Sequence, residues 1–245
     1  MIKYFYDKLH SLNDLSPSPL VNNTFSELCN YVINNDFDVK VSNEVDFINK
    51  TCAKAEYELE RYYSKIISWS NNPLDELYSF PYYDNYLKLI KLEYLNMSYF
   101  KDNIDNILFI WWWPLPLSSI ILAKNYGIKS TIVDIDDEAV ELSKQLVSSL
   151  WLDELVIIKK WDAISYTDNN QYNICYIASL VFLSQNIDQI LNNINNINFW
   201  FVLSRTSDRS RKLLYRSIDI DLYKKYFDIK LIVNPKNEIV NSFIL

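Results

Sequence analysis

Through the first hundred residues the apolar side chains recur at helical spacing, in Thr24 to Ile33, Val45 to Ile67 and Tyr86 to Tyr99, with breaks at Ser16-Pro17-Ser18-Pro19 and Asn71-Asn72-Pro73. From Asn106 the texture changes to short β-branched runs separated by helical stretches: Ile107 to Ile110, Thr131 to Ile135, Leu155 to Ile158, Asn173 to Ile177, Phe199 to Leu203, Ile229 to Val233 and Ile239 to Ile244. Strands alternating with helices build a mostly parallel sheet covered on both faces. The pattern therefore predicts an α/β fold, with an N-terminal helical domain at residues 1–100 and a Rossmann-like domain at residues 101–245. Only Asn234-Pro235-Lys236-Asn237 joins the last two runs, too short for a crossover helix, so they should form an antiparallel hairpin at one edge of the sheet.

The first unit of that sheet has the order of a nucleotide-binding βαβ motif. NILFI (106–110) is a strand, PLPLSSIILAK (114–124) opens a helix, and the next strand ends in the acids Asp134, Asp136 and Asp137. Gly127 follows Lys124-Asn125-Tyr126, where a helix end wants a left-handed residue. Asp136 or Asp137 can cap the next helix, Glu138 to Leu150. Asp134 can accept hydrogen bonds from two ribose hydroxyls, or be a helix-capping or solvated acid. Asp162, after the third strand, stands where related sheets hold an adenine amino group; as a plain loop aspartate it would do nothing of the kind.

Between strand and helix, where backbone N–H groups must approach a ligand, the chain carries Trp111, Trp112 and Trp113 in place of residues without a Cβ. Average composition would give about 17 glycines in a chain of this length, yet there is one glycine and there are seven tryptophans. Each tryptophan reads as a loop or turn residue. With every Trp read as Gly, the chain contains GGGPLPL, SLGLDELVIIKKGDA and NFGFVLS, ordinary strings for a cofactor-binding sheet. This suggests UGA codons decoded as glycine by the source and written here as tryptophan. The alternative is an apolar plug of genuine indoles.

A net charge of −7 with no strip of basic residues argues against a nucleic-acid partner. The run FIWWWPLPLSSIILA is interrupted by prolines and serines, so neither a signal peptide nor a membrane span is expected. Cys29, Cys52 and Cys175 have no metal or redox spacing and suit a reducing, cytoplasmic compartment. With His10 the single histidine, a protein-bound metal is not expected.

The segments LSPSPLVNNTFSELC, NNPLDELYSFPYYDNYLKLIKLEY, PLPLSSIILA, VDIDDEA and NEIVNS resemble, in order, the signature segments of nicotianamine synthases and their bacterial metallophore-synthase relatives. The likeness runs from about Ser11 to Ser242. FPYYDNYLKLIKLEY is the most diagnostic piece because no generic nucleotide-binding unit demands it. The chain departs from the family at the Trp run and at Asp208, where relatives often have histidine.

The resemblance implies a methyltransferase-type sheet and an enzyme that uses S-adenosylmethionine through its aminocarboxypropyl arm, releasing methylthioadenosine, with no metal of its own. The acceptor would be a small amino acid; a homodimer stays open. Trp111, Trp112, Trp113, Pro114, Leu115, Pro116, Asp134, Asp136, Asp162, Ala163 and Ala178 then fall at the S-adenosylmethionine site. Glu93 matches the expected base, and its apolar neighbours Leu89, Ile90 and Leu92 would raise its pKa. Tyr86, two turns earlier on the same helical face, could orient substrate. Tyr82 and Tyr83 could line the acceptor pocket, and Arg205 could clamp a carboxylate or pair with Asp208. Two rivals remain: an S-adenosylmethionine-dependent methyltransferase, and a non-catalytic binding protein if the tryptophans are genuine.

Overall fold

In the computed structural model, which describes residues 1–110, 113–236 and 241–245, the chain opens with helices α1 (Ile2–His10), α2 (Pro19–Asn34), α3 (Asn43–Trp69), α4 (Pro73–Tyr78) and α5 (Tyr83–Phe100). Local chemistry sets their starts. Ser18 and Ser42 cap α2 and α3 by accepting from Val21 N and Val45 N, each at 3.3 Å. Pro19 fills the first turn of α2, and Glu44 and Asp46 place negative charge at the positive end of α3.

The remainder alternates β1 (Asn106–Ile110), α6 (Leu117–Tyr126), β2 (Lys129–Asp134), α7 (Asp137–Ser149), β3 (Val156–Lys160), β4 (Tyr172–Ile177), α8 (Ile187–Ile194), β5 (Phe199–Thr206), α9 (Ile220–Tyr223), β6 (Ile232–Val233) and β7 (Ser242–Ile244). Their sheet has the order β3-β2-β1-β4-β5-β7-β6. β1 to β5 are parallel, and β7 runs antiparallel to both β5 and β6. This is the methyltransferase-type arrangement of a Rossmann-like sheet. The edge hairpin is present, with Val233 opposite Phe243, although both strands are shorter than the apolar runs; residues 237–240 lie outside the described ones.

Gly127 ends α6 at φ 67 with its N–H on Ala123 O. An added Cβ would meet nothing within 4 Å, so the dihedral, not space, calls for glycine here. Trp151 also has positive φ, 59°, just past α7. Two tryptophans depart from the loop-or-turn expectation: Trp69 is the last residue of α3, and Trp200 lies within β5, because strand pairing and helix bonds extend through them.

α4 and α5 share one hydrophobic core with the sheet, through Leu77, Leu89, Ile90 and Met97 against strand residues such as Ile107 and Ile174. A smaller cluster, Phe5, Leu9, Leu28, Val32 and Ile48, is closed by Leu213 and Leu214 from beyond β5. This packing lays the helices over the carboxyl ends of the strands, where open α/β sheets take ligands.

Candidate active site

The loop after β1 is held by the helical layer. Pro114 O accepts from Ser64 Oγ of α3 at 2.7 Å and from Ser143 Oγ of α7 at 3.2 Å, and Leu115 N donates to Glu60 Oε2 at 3.3 Å. Pro116 stands at the amino end of α6. Trp111 and Trp112 lie outside the described residues. Trp113 is buried with its ring 5.6 Å from that of Tyr57, so this indole packs into the core and does not line the nearby cavity as a plug would.

Asp134 ends β2 only 3% exposed, its Oδ1 accepting from Asp136 N at 2.9 Å. Burial pushes its pKa up to about 7, against the N–H groups of Asp136, Ile135 and Trp113. The cap left open between two acids is Asp136, whose Oδ1 accepts from Ala139 N at 2.8 Å and also from Tyr57 OH at 3.4 Å. Asp162 bonds Ile164 N at 2.9 Å and lines, with Ala163, Ile110, Ile135 and Trp161, a cavity of about 110 Å³ at the strand ends. Ala178 donates its N–H to Ile110 O at 3.1 Å behind that cavity without lining it.

A larger cavity of about 270 Å³ lies between α2, α3, α5 and the segment after β5. Val21, Phe25, Leu59 and Leu89 give it apolar walls; Glu56, Tyr82, Asn85, Tyr86, Tyr215 and Asn241 add polar groups. Glu56 and Glu60 are one turn apart on α3. Tyr215 OH donates to Glu56 Oε1 and Tyr86 OH to Glu60 Oε1, each at 3.4 Å. Burial pushes Glu56 up to about 7. Burial, and then the charge of Glu56, push Glu60 well above the carboxylate range. Glu60 thus touches both the loop of the sheet, through Leu115, and Tyr86 on the cavity wall.

Three residues expected at the site stand as follows. Glu93 is fully buried and lines neither cavity. Arg205 Nε donates to its Oε1 at 2.9 Å and Nη2 to its Oε2 at 3.0 Å, and Tyr176 OH donates to Oε2 as well. Both oxygens of the carboxylate are thus engaged by donors. Arg205 gives Nε and Nη2 to Glu93 and Nη2 also to Ser118 Oγ at 2.9 Å, so its ion-pair partner is Glu93 and not Asp208. Tyr83 sets its ring edge-on to Tyr78 and does not line the cavity, whereas Tyr82 and Tyr86 do.

The sequence reading missed Glu56, Glu60, Tyr215 and Asn241. A signal existed for the first two: they interrupt the inward stripe of α3 formed by Val45, Ile48, Cys52, Ala55 and Ile67, and an acid on an apolar stripe needs a reason. Among the described residues no group of three His, Cys, Asp or Glu side chains is placed to hold a metal ion, and no helix is long and apolar enough to cross a membrane.

Comparison with known proteins bears on this geometry. The family model described as nicotianamine synthase protein matches residues 1–245. The chain is 31% identical over 261 residues to nicotianamine synthase 1 of Arabidopsis thaliana, covering 98% of this chain and 80% of that protein. Its fold is similar to a crystal structure of MtNAS in complex with MTA and tNA, with TM-score 0.86 and 23% identity over 99% of this chain and 95% of that one. A mutant of the same protein in complex with S-adenosylmethionine superposes with TM-score 0.83 and 22% identity, over 99% and 95% of the two chains.

Proposed function

Because the chain belongs to the nicotianamine synthase family, we propose that it transfers the 3-amino-3-carboxypropyl group of S-adenosylmethionine to the amine of a small amino acid and releases methylthioadenosine. The observation that carries this reading is the position of the Glu56–Glu60 pair, which joins the loop of the sheet to the large cavity. In the reaction the acceptor nitrogen attacks the γ-carbon of the arm, the carbon–sulfur bond breaks, and the sulfonium leaves as a neutral thioether. The nitrogen's proton passes to the ionised member of the pair; Glu56, with a pKa near 7 and facing the cavity, is suited to receive it. Tyr86, bonded to Glu60, orients substrate beside it. The ribose and adenine fall on Asp134 and on the cavity of Asp162 and Ala163. S-adenosylmethionine bound to an MtNAS mutant of similar fold supports the donor.

We also propose that the functional protein carries glycine at its Trp positions. Trp151 supports this: it is 91% exposed and sits in left-handed backbone, which costs a bulky residue about 1–2 kcal/mol. Peptide mass spectrometry of the protein from its source decides the point; tryptophan at 151 would end the idea. The product would be a metallophore made in the cytoplasm, in keeping with three free cysteines. A homodimer would cover the exposed band of Tyr99, Phe100 and Trp200, which sedimentation of the purified protein tests.

Mass identification of the nucleoside product tests the reaction. Methylthioadenosine is expected; S-adenosylhomocysteine would make the protein a methyltransferase on the same sheet.

A further inference from the structure

One buried cation stands beside the carboxylate pair. Arg205, near the carboxyl end of β5, is 2% exposed and lines neither cavity. Its Nε and Nη2 are given to Glu93, and Nη2 also to Ser118 Oγ. Its Cζ stands 5.6 Å from the centre of the Tyr86 ring and 5.2 Å from that of Tyr176. Tyr86 in turn donates to Glu60 Oε1 at 3.4 Å, and Glu60 is one turn from Glu56. One aromatic ring therefore separates a positive charge from the proposed proton acceptor. A guanidinium keeps its charge at any working pH; here burial works against that charge and Glu93 outweighs it. The neighbouring phenols and thiols are neutral. Tyr86 on α5, Tyr82 just before it, Tyr215 after β5, Cys29 on α2 and Cys52 on α3 are all pushed up by burial. Burial of Glu56 is opposed by the Tyr215 hydroxyl and by the charge of Arg205, and burial of Glu60 by Leu115 N–H, Tyr86 OH and again Arg205. The charge of Arg205 is the contribution common to both acids.

We propose that Arg205 is a positioning residue for the transfer: anchored by Glu93 and set against Tyr86, it keeps the Glu56–Glu60 pair able to ionise inside an apolar wall. The inference rests on the reading that this pair takes the acceptor's proton, and it adds the group that sets the pH at which it can. Without a cation, two carboxyls one turn apart in a buried site hold their protons, and a protonated acid cannot receive another. With a cation behind Tyr86, one of them loses its proton near the working pH. Glu93 holds the guanidinium in place by two hydrogen bonds, and its negative charge limits how far Arg205 favours the ionised pair. The Glu93–Arg205 ion pair is thus an anchor for α5 and also a source of field at the site. Measurement separates the two roles.

The test reads the carboxyls directly, by carbon-13 NMR titration of the full chain labelled at the glutamate δ-carbons, with Glu56→Gln assigning the Glu56 resonance. In wild type Glu56 should titrate near 7. Glu93→Leu combined with Arg205→Met removes the ion pair while filling its space, and should move that midpoint up by about one pH unit. Arg205→Lys keeps the charge and should leave the midpoint near its wild-type value. An unchanged or lower midpoint in the double variant would overturn the proposal, as would an equal rise in Arg205→Lys. Thermal melting checks that the variants fold. If the double variant does not, Glu93→Gln takes its place: with the neutralising charge gone the guanidinium acts more strongly and the midpoint should fall, so an unchanged or raised one overturns the proposal. Methylthioadenosine release is followed separately against pH. Its acid limb should move with the Glu56 midpoint, giving about tenfold less release from the double variant below that midpoint. A limb that stays in place under a lower plateau would reduce Arg205 to an anchor. Release with a Glu56 midpoint indifferent to Arg205 defeats this inference alone, while the expected midpoints without release defeat the reaction.

Discussion

Two sets of buried carboxylates lie in the same helical layer and behave differently. Glu93, on α5, faces a guanidinium at 2.9 and 3.0 Å and a tyrosine hydroxyl, so each oxygen has a donor. Glu56 and Glu60, on α3, face one hydroxyl each at 3.4 Å, one backbone N–H, and each other. Burial raises the pKa of all three and the charge of Arg205 opposes it at all three, but only at Glu93 does the guanidinium also hydrogen-bond the carboxylate. The comparison teaches that burial does not identify a working acid or base; what stands opposite does. One set ties α5 to β4 and β5, and the other joins the loop after β1 to the large cavity.

The sharpest way to break the contrast is to neutralise each set. Glu56→Gln or Glu60→Gln should reduce methylthioadenosine release by about 10² to 10⁴, the usual contribution of a general base, with folding unimpaired. Near-wild-type turnover in both variants would return the base to another residue. Glu93→Ala should instead act on stability, lowering the free energy of unfolding by about 3–5 kcal/mol in urea because Arg205 is left buried and unpaired. The double change Glu93→Leu with Arg205→Met should recover most of that loss. Full stability in Glu93→Ala would mean that the pair is not an anchor.

A third prediction uses pH. Glu56 and Asp134 are pushed up to about 7 in the fold but ionise near their ordinary values of 4.5 and 3.8 when unfolded. The folded chain therefore binds more protons than the unfolded chain between about pH 4 and 7, and stability falls as pH rises through that window. Glu56→Gln should remove its share of the slope. Transfer should run the opposite way, rising toward about pH 7 as Glu56 ionises. Urea midpoints flat from pH 4 to 7 would contradict the unpaired environment of these acids. A smaller effect comes from Trp151→Gly, expected to stabilise by about 1–2 kcal/mol through relief of its backbone. Smallest is Tyr83→Phe, which should leave the acceptor KM unchanged because that ring packs on Tyr78, outside the cavity.

Much of the fold was legible in the sequence because its signals are local. Alternation of β-branched runs with helical stretches gave the sheet, a four-residue connection gave the edge hairpin, and Gly127 marked a helix end. The two faces of the site differed in legibility. Asp162 and Ala163 line the small cavity and Asp136 caps α7, positions that follow from their place after particular strands. Glu93 misled, because its apolar neighbours predict burial correctly while its partner lies 112 residues away on β5. Asn241 gave no sign, since it belongs to the site only through the cavity it lines.

The sequence by itself determined which segments become strands and helices, their likeness to one enzyme family, and where a nucleotide loop should stand. These depend on side-chain periodicity and on the dihedral preferences of single residues. Tertiary structure alone decided that Glu93 meets a guanidinium, while Glu56 and Glu60 meet hydroxyls and one backbone N–H. That outcome depends on charges and donors brought together from distant parts of the chain, and Coulomb interaction inside a core is set by distance in space rather than by separation along the backbone.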